Sequence, residues 1–352
     1  MLTVLESIPE GLLECDATRL HEILAGPTLI HLPGRRTPPL FVSVLLHGNE
    51  DAGWLAARAI LQQHRETPLP RALSLFIGNV EAARYHQRYL EHQADFNRIW
   101  EDTPAVVQRP ERAMARNVVD IMRERGIFAC IDIHTNTGIN PHYGCVRRLD
   151  HRFFHLAVLF SRTVVYFKKP DGVLVEAFAD LCPAVTVECG KSGTVGGMEH
   201  AQRYIEASLH LADLPVHPVA AHDIDLFHTV AIVKVPSEAT FGFGDENCDI
   251  CLNPDLDHMN FRELPAGTCL GHIRTGSHAR LEIWDEIGRD LGERYLRVEG
   301  GRIVTVQPVM PSMLTINKRA IRQDCLGYLM ENSRELFERA TTASGSSNAK
   351  TL

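Results

Sequence analysis

The chain has 352 residues, of which 45% are hydrophobic and 23% are charged, and both values are close to the average of globular proteins. These proportions exclude a chain that is disordered throughout, and the length predicts about two domains at roughly 150 residues each. The formal net charge of -8 argues against a nucleic-acid partner, which would require a concentrated basic face.

The N-terminal residues lack the basic and apolar regions of a signal peptide. No stretch reaches the roughly 20 apolar residues that cross a bilayer, so we expect a cytoplasmic protein without a membrane partner. Nine cysteines, an odd number scattered along the chain, are more typical of reduced thiols than of a disulfide framework. The residues leave the oligomeric state open, and a homo-oligomer is compatible with them.

Apolar and amphipathic runs alternate through the first two thirds of the chain. Strands are predicted at residues 40–46, 73–77, 127–133, 164–167 and 184–187. Helices are predicted at residues 52–64, 111–125, 151–162 and 173–181. Because strands that alternate with helices form parallel sheets, the predicted fold class is α/β, with a mostly parallel, mixed sheet flanked by helices.

Polar residues follow the predicted ends of four strands. They are His47, Asn79, His134 and Glu188. In open α/β sheets, ligands bind at the edge formed by the carboxyl ends of the strands. The sequence therefore predicts that four separate segments bring polar groups to one rim of the sheet.

The sequence pattern changes near Pro215. Residues 214–218 read as a linker, and the short alternating runs that follow, separated by Pro and Gly, predict a smaller β-rich domain. We therefore predict a catalytic α/β domain at residues 1–214, a β-rich domain at residues 215–330, and a C-terminal helix or disordered tail at residues 331–352.

His47 and Glu50 are separated by three positions at a predicted strand-to-helix turn, and His134 follows another strand further along the chain. Catalytic zinc sites use three ligands from histidines and carboxylates and leave the fourth position for water. The three residues therefore predict a site for one Zn²⁺ per chain. The alternatives are a helix-capping role for His47 and a structural role in the core for His134.

Glu188 follows a buried strand at the same predicted rim. Zinc lowers the pKa of its bound water to about 7, yet a base must still accept the water's proton and deliver it to the leaving amine. We predict that Glu188 is this general base. The alternative is an acidic residue that only caps a loop.

Four motifs in this order resemble the succinylglutamate desuccinylase/aspartoacylase family, which is related to the zinc carboxypeptidases. They are HGNE at 47–50, RYLEHQADFNR at 88–98, DIHTNTG at 132–138 and VECGKSG at 187–193. The resemblance implies a carboxypeptidase-like fold with a β-rich C-terminal domain. It also implies a zinc-dependent deacylase that hydrolyses an amide of a small, carboxylate-bearing substrate, with an N-acyl amino acid as the expected class. Its zinc ligands and catalytic glutamate coincide with the residues chosen above.

The same resemblance assigns three further residues. Asn97 and Arg98 would bind a substrate carboxylate, and an arginine suits this task because it donates two parallel hydrogen bonds. Arg88 would polarise the scissile carbonyl and stabilise the oxyanion. The stretch between Arg88 and Arg98 is two residues longer than the usual family spacing. Phe178 stands where aspartoacylases have an arginine for a second carboxylate, which argues against N-acetylaspartate as the substrate.

Three other functions stay open at this point. A carboxypeptidase that acts on peptides uses the same centre, and an open rim would favour it. Two histidines and a carboxylate also form the iron site of some oxygenases, although the alternating α/β pattern speaks against that class. The third alternative is a catalytically inactive binding protein. The presence of the three predicted metal ligands and of Glu188 argues against it.

A second metal site is a separate hypothesis. Cys248, Cys251, Cys269 and His272 have the spacing of a structural zinc site. Residues 269 and 272, however, lie in a predicted strand, where positions three apart point to opposite faces. Thiols that bind no metal are therefore the alternative.

Overall fold

The computed structural model describes residues 1–244 and 247–348 of the chain. The strands of this part are β1 (Thr3–Leu5), β2 (Thr28–Leu32), β3 (Leu40–Val44), β4 (Leu73–Ile77), β5 (Ala129–Asn136), β6 (His142–Val146), β7 (Thr163–Tyr166), β8 (Ala184–Lys191), β9 (Asp225–Lys234), β10 (Phe241–Phe243), β11 (Ile250–Leu252), β12 (Cys269–Ile273), β13 (Glu282–Asp285), β14 (Leu296–Glu299), β15 (Arg302–Thr305), β16 (Met310–Ser312) and β17 (Gly327–Asn332). The α-helices are α1 (Ala52–Gln63), α2 (Val80–Arg84), α3 (Pro110–Arg125), α4 (His151–Val158), α5 (Leu174–Phe178), α6 (Val195–His210), α7 (Gly292–Tyr295), α8 (Lys318–Gln323) and α9 (Arg334–Asn348).

Twelve of these strands form one large mixed sheet. Its order is β1-β2-β4-β3-β5-β8-β6-β7-β9-β17-β16, and β13 also pairs with β9. The central strands β4, β3, β5 and β8 run parallel to one another, whereas β6 is antiparallel to β8. A smaller sheet has the order β10-β11-β12-β15-β14. The predicted fold class, a mostly parallel mixed sheet with a second β-rich part, is confirmed.

Helices cover the central strands, which explains why those strands are apolar. β3, β4 and β5 are buried along their whole length, as expected of parallel strands that pack on both faces. Helix α1 packs on β3 and β5 and against α6, whereas α5 packs on β5 and β8. On the face that carries α5, the rings of Phe41 and Phe178 stack with their centroids 4.5 Å apart.

Two central strands extend further than the sequence predicts. β5 reaches Asn136 and β8 reaches Lys191, so the predicted ends at residues 133 and 187 are wrong. The ladder between the two strands continues through their polar residues, and its register pairs His134 with Glu188. Both residues therefore lie within the strands, side by side, rather than after their ends.

The C-terminal part of the chain contributes to both sheets. β9, which follows the predicted linker, pairs in parallel with β7 and antiparallel with β17 and β13. Ile250, Ile283 and Leu314 belong to a second hydrophobic cluster that is built from this part. The division into the domains 1–214 and 215–330 stays a prediction.

Helix α9 occupies most of the predicted terminal segment, and residues 349–352 lie outside the described part. Among the helices of the described residues, none combines the length and the apolar character that a bilayer crossing requires.

Candidate active site

His47 and Glu50 lie in the turn between β3 and α1. Leu45, with a φ of 57°, redirects the chain at the end of β3. Gly48 then passes so close to α2 that a Cβ atom on it would lie 2.2 Å from the backbone nitrogen of Ala83. The turn closes with a hydrogen bond of 3.1 Å from the Glu50 amide to the His47 carbonyl. Glycine is therefore required at position 48 for the two side chains to converge.

We expect Gly48→Ala to reduce the free energy of unfolding by about 1–3 kcal/mol, because the added methyl group meets backbone that cannot rotate away. Chemical denaturation of the metal-free protein measures this change. Gly196→Ala in α6 is the matched control, since a Cβ there meets nothing within 4 Å, and its stability should be unchanged or slightly raised. Equal stability of Gly48→Ala and the wild type would contradict the close approach.

Three buried side chains converge at the rim of the sheet. His47 Nδ1 lies 2.8 Å from Glu50 Oε1, and His134 Nδ1 lies 2.9 Å from Glu50 Oε2. One ligand atom from each residue lies within 4.8 Å of the other two. Two imidazoles and one carboxylate are a donor set typical of catalytic zinc. The structure thus brings together the three residues that the sequence nominates as metal ligands.

The charges within this cluster depend on one another. Burial alone would raise the pKa of Glu50, but the neighbouring His47 and His134 lower it well below its ordinary value. Burial alone would lower the pKa of His134, but the carboxylates of Asp132 and Glu50 raise it well above its ordinary value. A histidine nitrogen or a carboxylate oxygen binds a metal only after it has lost its proton. A cation that binds to this cluster therefore replaces the proton that the histidine and the carboxylate would otherwise share.

An aspartate holds the far nitrogen of each imidazole. His134 Nε2 lies 2.8 Å from Asp132 Oδ2, and His47 Nε2 lies 3.1 Å from Asp95 Oδ1. A carboxylate on the Nε2 proton leaves the lone pair of Nδ1 directed toward a metal. Asp132 was not predicted from the sequence to take part in the site. Asp132 and His134 are two positions apart in one strand, so their side chains share a face, and this spacing could have indicated the contact.

We expect Asp132→Asn to weaken Zn²⁺ binding by about 10- to 100-fold, because the imidazole of His134 loses the carboxylate that orients it. Competition with a chromogenic chelator measures the affinity. Asp120→Asn on the exposed face of α3 is the matched control and should bind zinc like the wild type. An unchanged affinity of Asp132→Asn would exclude this orienting role.

Glu188 lies beside the triad on β8. Side chains at alternate positions of a strand share a face, and the register places Glu188 next to His134 on the neighbouring strand. Burial raises the pKa of the Glu188 carboxyl to about 7, and Asn136 Nδ2 donates a hydrogen bond of 3.3 Å to its Oε2. A carboxyl with such a pKa can both accept and donate a proton at neutral pH.

The triad and Glu188 open into a cavity of about 540 Å³. Its floor is the face of the large sheet, where Tyr143 and Thr186 lie beside Glu188. A further wall comes from residues 312–328, between the last residue of β16 and the second residue of β17, which we call the roof segment. In the described part of the chain the buried Tyr143 hydroxyl has no hydrogen-bond partner, so it is available to a bound molecule.

The two asparagines named from the sequence have different surroundings. Asn79 caps α2, since its side chain accepts a hydrogen bond of 3.0 Å from the Ala82 amide. Asn97 lines the cavity, with its Nδ2 3.5 Å from His134 Nε2 and its Oδ1 accepting from the Leu174 amide at 3.2 Å. Asn97 is therefore at the site, whereas Asn79 serves the fold.

Arg88 and Arg98 also line the cavity, and acidic residues bind both of them. Arg88 Nη2 donates to Asp95 Oδ2 at 2.9 Å, and Arg98 Nη2 donates to Asp324 Oδ1 at 3.0 Å. Asp324 belongs to the roof segment and was not predicted to take part in the site.

The residues proposed for a second metal site lie in or beside the smaller sheet. Cys251 faces His272 across β11 and β12, while the thiols of Cys248 and Cys269 contact backbone carbonyls. Where the structure describes side chains, the groups with metal-binding geometry are the triad and one cluster of carboxylates, and these four residues belong to neither.

Comparisons with known proteins agree with the motifs. The catalytic-domain model of the succinylglutamate desuccinylase/aspartoacylase family matches residues 36–213. A succinylglutamate desuccinylase from Chromobacterium violaceum is similar in structure, with 16% identity, 86% of each chain covered and a TM-score of 0.53. Murine aminoacylase 3 has 17% identity, a TM-score of 0.56, and coverage of 84% of this chain and 96% of its own.

A succinylglutamate desuccinylase/aspartoacylase from Rhodobacter sphaeroides has 12% identity, a TM-score of 0.56, and coverage of 86% of this chain and 88% of its own. At these identities the structural matches show a shared fold. The comparison with curated protein sequences gives no match.

Proposed function

The chain belongs to the succinylglutamate desuccinylase/aspartoacylase family, and from this premise we propose that it is a zinc-dependent hydrolase of small N-acyl amino acids. The observation that carries the proposal is the placement of the triad His47, Glu50 and His134 beside Glu188 in one cavity. The bond cleaved is the amide between the acyl group and the amino acid.

The donor set fits zinc, because two imidazole nitrogens and a carboxylate oxygen face one another and the buried triad borders an open cavity. When bound, zinc supplies a Lewis acid that polarises a carbonyl and makes water acidic enough to attack at neutral pH. Asp132 and Asp95 hold the two imidazoles in the orientation that this binding requires.

Glu188 is the proposed proton carrier. It would accept a proton from the attacking water and deliver that proton to the departing amine nitrogen. Both steps suit a buried carboxyl that lies beside the metal ligands. Arg88, which lines the same cavity, is the proposed donor to the developing oxyanion. Asn97 and Arg98 are the proposed contacts of the substrate carboxylate.

The roof segment favours a small substrate over a peptide. A carboxypeptidase needs a groove that extends beyond the metal centre, whereas here residues of the roof segment line the same cavity as the triad. The volume of about 540 Å³ is in the range of pockets for small molecules. A metallocarboxypeptidase acting on peptides is therefore the second candidate.

A hydrolysis screen tests the proposal. Zinc-loaded protein is incubated with N-acetyl, N-succinyl and N-formyl amino acids beside short peptides, and the free amine is measured. We expect release from at least one N-acyl amino acid and none from the peptides. Cleavage of peptides alone would favour the carboxypeptidase. Iron bound to the freshly purified protein would favour the oxygenase.

A further inference from the structure

Asp324 extends from the roof segment to the two cavity arginines. Arg98 Nη2 donates to both carboxylate oxygens of Asp324 at 3.0 Å, and Arg88 Nη2 reaches its Oδ2 at 3.4 Å. Arg88 also donates to Asp95 through two nitrogens, at 3.0 and 2.9 Å. Two guanidinium groups and two carboxylates thus alternate in one network whose formal charges cancel.

The network is sheltered from solvent. The exposed fractions of the side chains are 16% for Arg88, 12% for Asp95, 23% for Arg98 and 30% for Asp324. Water and salt screen such charges less than they screen pairs at the surface. The two arginines therefore offer an added anion no excess positive charge, because the two aspartates balance them.

The other cations that line the cavity do not replace the positive charge of Arg88 and Arg98 that the two aspartates neutralise. Lys169 pairs with Asp171, and Arg319 donates to Gln87 at 2.8 Å. Lys191 and Arg319 are exposed to solvent, where their charges are more strongly screened. Among the described cations that line the cavity, Arg88 and Arg98 are therefore the ones most sheltered from solvent.

We propose that Asp324 is a specificity-determining residue, which neutralises Arg98 and Arg88, competes with the substrate carboxylate for Arg98 and selects substrates with one carboxylate over similar substrates with two. This inference rests on the proposed function, since it takes Arg98 as a residue that binds the substrate carboxylate. A single carboxylate has to displace or share one internal ion pair. A second carboxylate would enter the cavity with no sheltered, uncompensated side-chain cation to pair with, at a cost that a neutral group of the same shape avoids.

Two probes of the same shape isolate this effect. N-acetyl-L-glutamate and N-acetyl-L-glutamine differ by one charge, and the background variant Glu188→Gln keeps either from being turned over. Calorimetry on the zinc-loaded protein gives the dissociation constant of each probe with and without Asp324→Asn. We expect Asp324→Asn to tighten binding of N-acetylglutamate roughly tenfold and to tighten N-acetylglutamine clearly less, because one repelling charge is removed.

Two further variants separate charge from shape and position. Asp324→Glu keeps the negative charge and should restore the selectivity of the background protein. Glu331→Gln removes an exposed carboxylate from the same part of the chain and should leave the selectivity unchanged.

Three results with the double variant Glu188→Gln/Asp324→Asn would overturn the proposal. They are an unchanged ratio of the two dissociation constants, equally weaker binding of both probes, and no binding of either probe. The proposed function is judged separately, by hydrolysis in the screen. Hydrolysis without a shift in selectivity rejects the role of Asp324 alone, whereas a shift without hydrolysis rejects the assigned reaction alone.

Discussion

The variant Glu188→Gln should lower kcat by about 100- to 10,000-fold while the protein keeps its zinc. Glutamine has nearly the same shape, and its side-chain oxygen can still accept the hydrogen bond from Asn136 Nδ2. The substitution therefore removes the proton carrier without disturbing the triad. Steady-state hydrolysis of the best substrate from the screen gives kcat, and atomic absorption of the dialysed protein gives the metal content.

The same variant separates catalysis from folding. In the folded protein the pKa of Glu188 is raised from 4.5 to about 7, so the folded state holds this proton more tightly than the unfolded state. The contribution of the carboxyl to stability therefore falls as the pH rises through this interval. At pH 8 metal-free Glu188→Gln should unfold at no lower denaturant concentration than the wild type.

A matched glutamate serves as the control for this experiment. Glu199→Gln on the exposed side of α6 should retain the kcat of the wild type. Substantial activity of Glu188→Gln would contradict the assignment of the base. Loss of its zinc would instead show that residue 188 is needed for the metal site itself.

Replacing His134 by Ala should abolish both zinc binding and hydrolysis. The change removes one of three metal ligands. The affinity for Zn²⁺ should therefore fall by more than the roughly 10- to 100-fold expected when only an orienting residue such as Asp132 is lost. It also leaves the buried carboxylates of Asp132 and Glu50 without the imidazole that lies between them. We therefore expect the metal-free variant to lose about 3–5 kcal/mol of unfolding free energy.

Zinc titration against a competing chelator and denaturant unfolding measure the two effects of His134→Ala. His222→Ala, which changes a histidine exposed to solvent, should leave both unchanged. Full zinc occupancy in His134→Ala would mean that the metal is bound elsewhere, and it would remove the basis of the proposed reaction.

The fold class could be predicted from sequence because burial on both faces makes β3 and β4 continuous apolar runs. The ends of β5 and β8 could not. Their last residues are polar, and polar residues usually mark the end of a buried strand. Here His134 and Glu188 stay in the ladder and point into the cavity, so the demands of a site override the hydrophobic pattern.

The candidate site was predictable where the chain itself places residues together. His47 and Glu50 share one turn, and His134 lies on a neighbouring strand of the same sheet. Asp324 had no comparable signal, because it lies 226 positions from Arg98 in a stretch without a distinctive motif. A single acidic residue beside a short helix is ordinarily solvated, and only the tertiary structure shows which cation it meets.

The floor of the cavity and both ends of the roof segment belong to one hydrogen-bonded sheet. β7 pairs with β9, β9 pairs with β17, and β17 pairs with β16, so both ends of the roof segment are anchored in the sheet that forms the floor. A hinge motion that separates the roof segment from the floor would break the hydrogen bonds of these ladders. The connection that carries α8 is the part of the roof segment outside these ladders, so local adjustment of the cavity wall is confined to it.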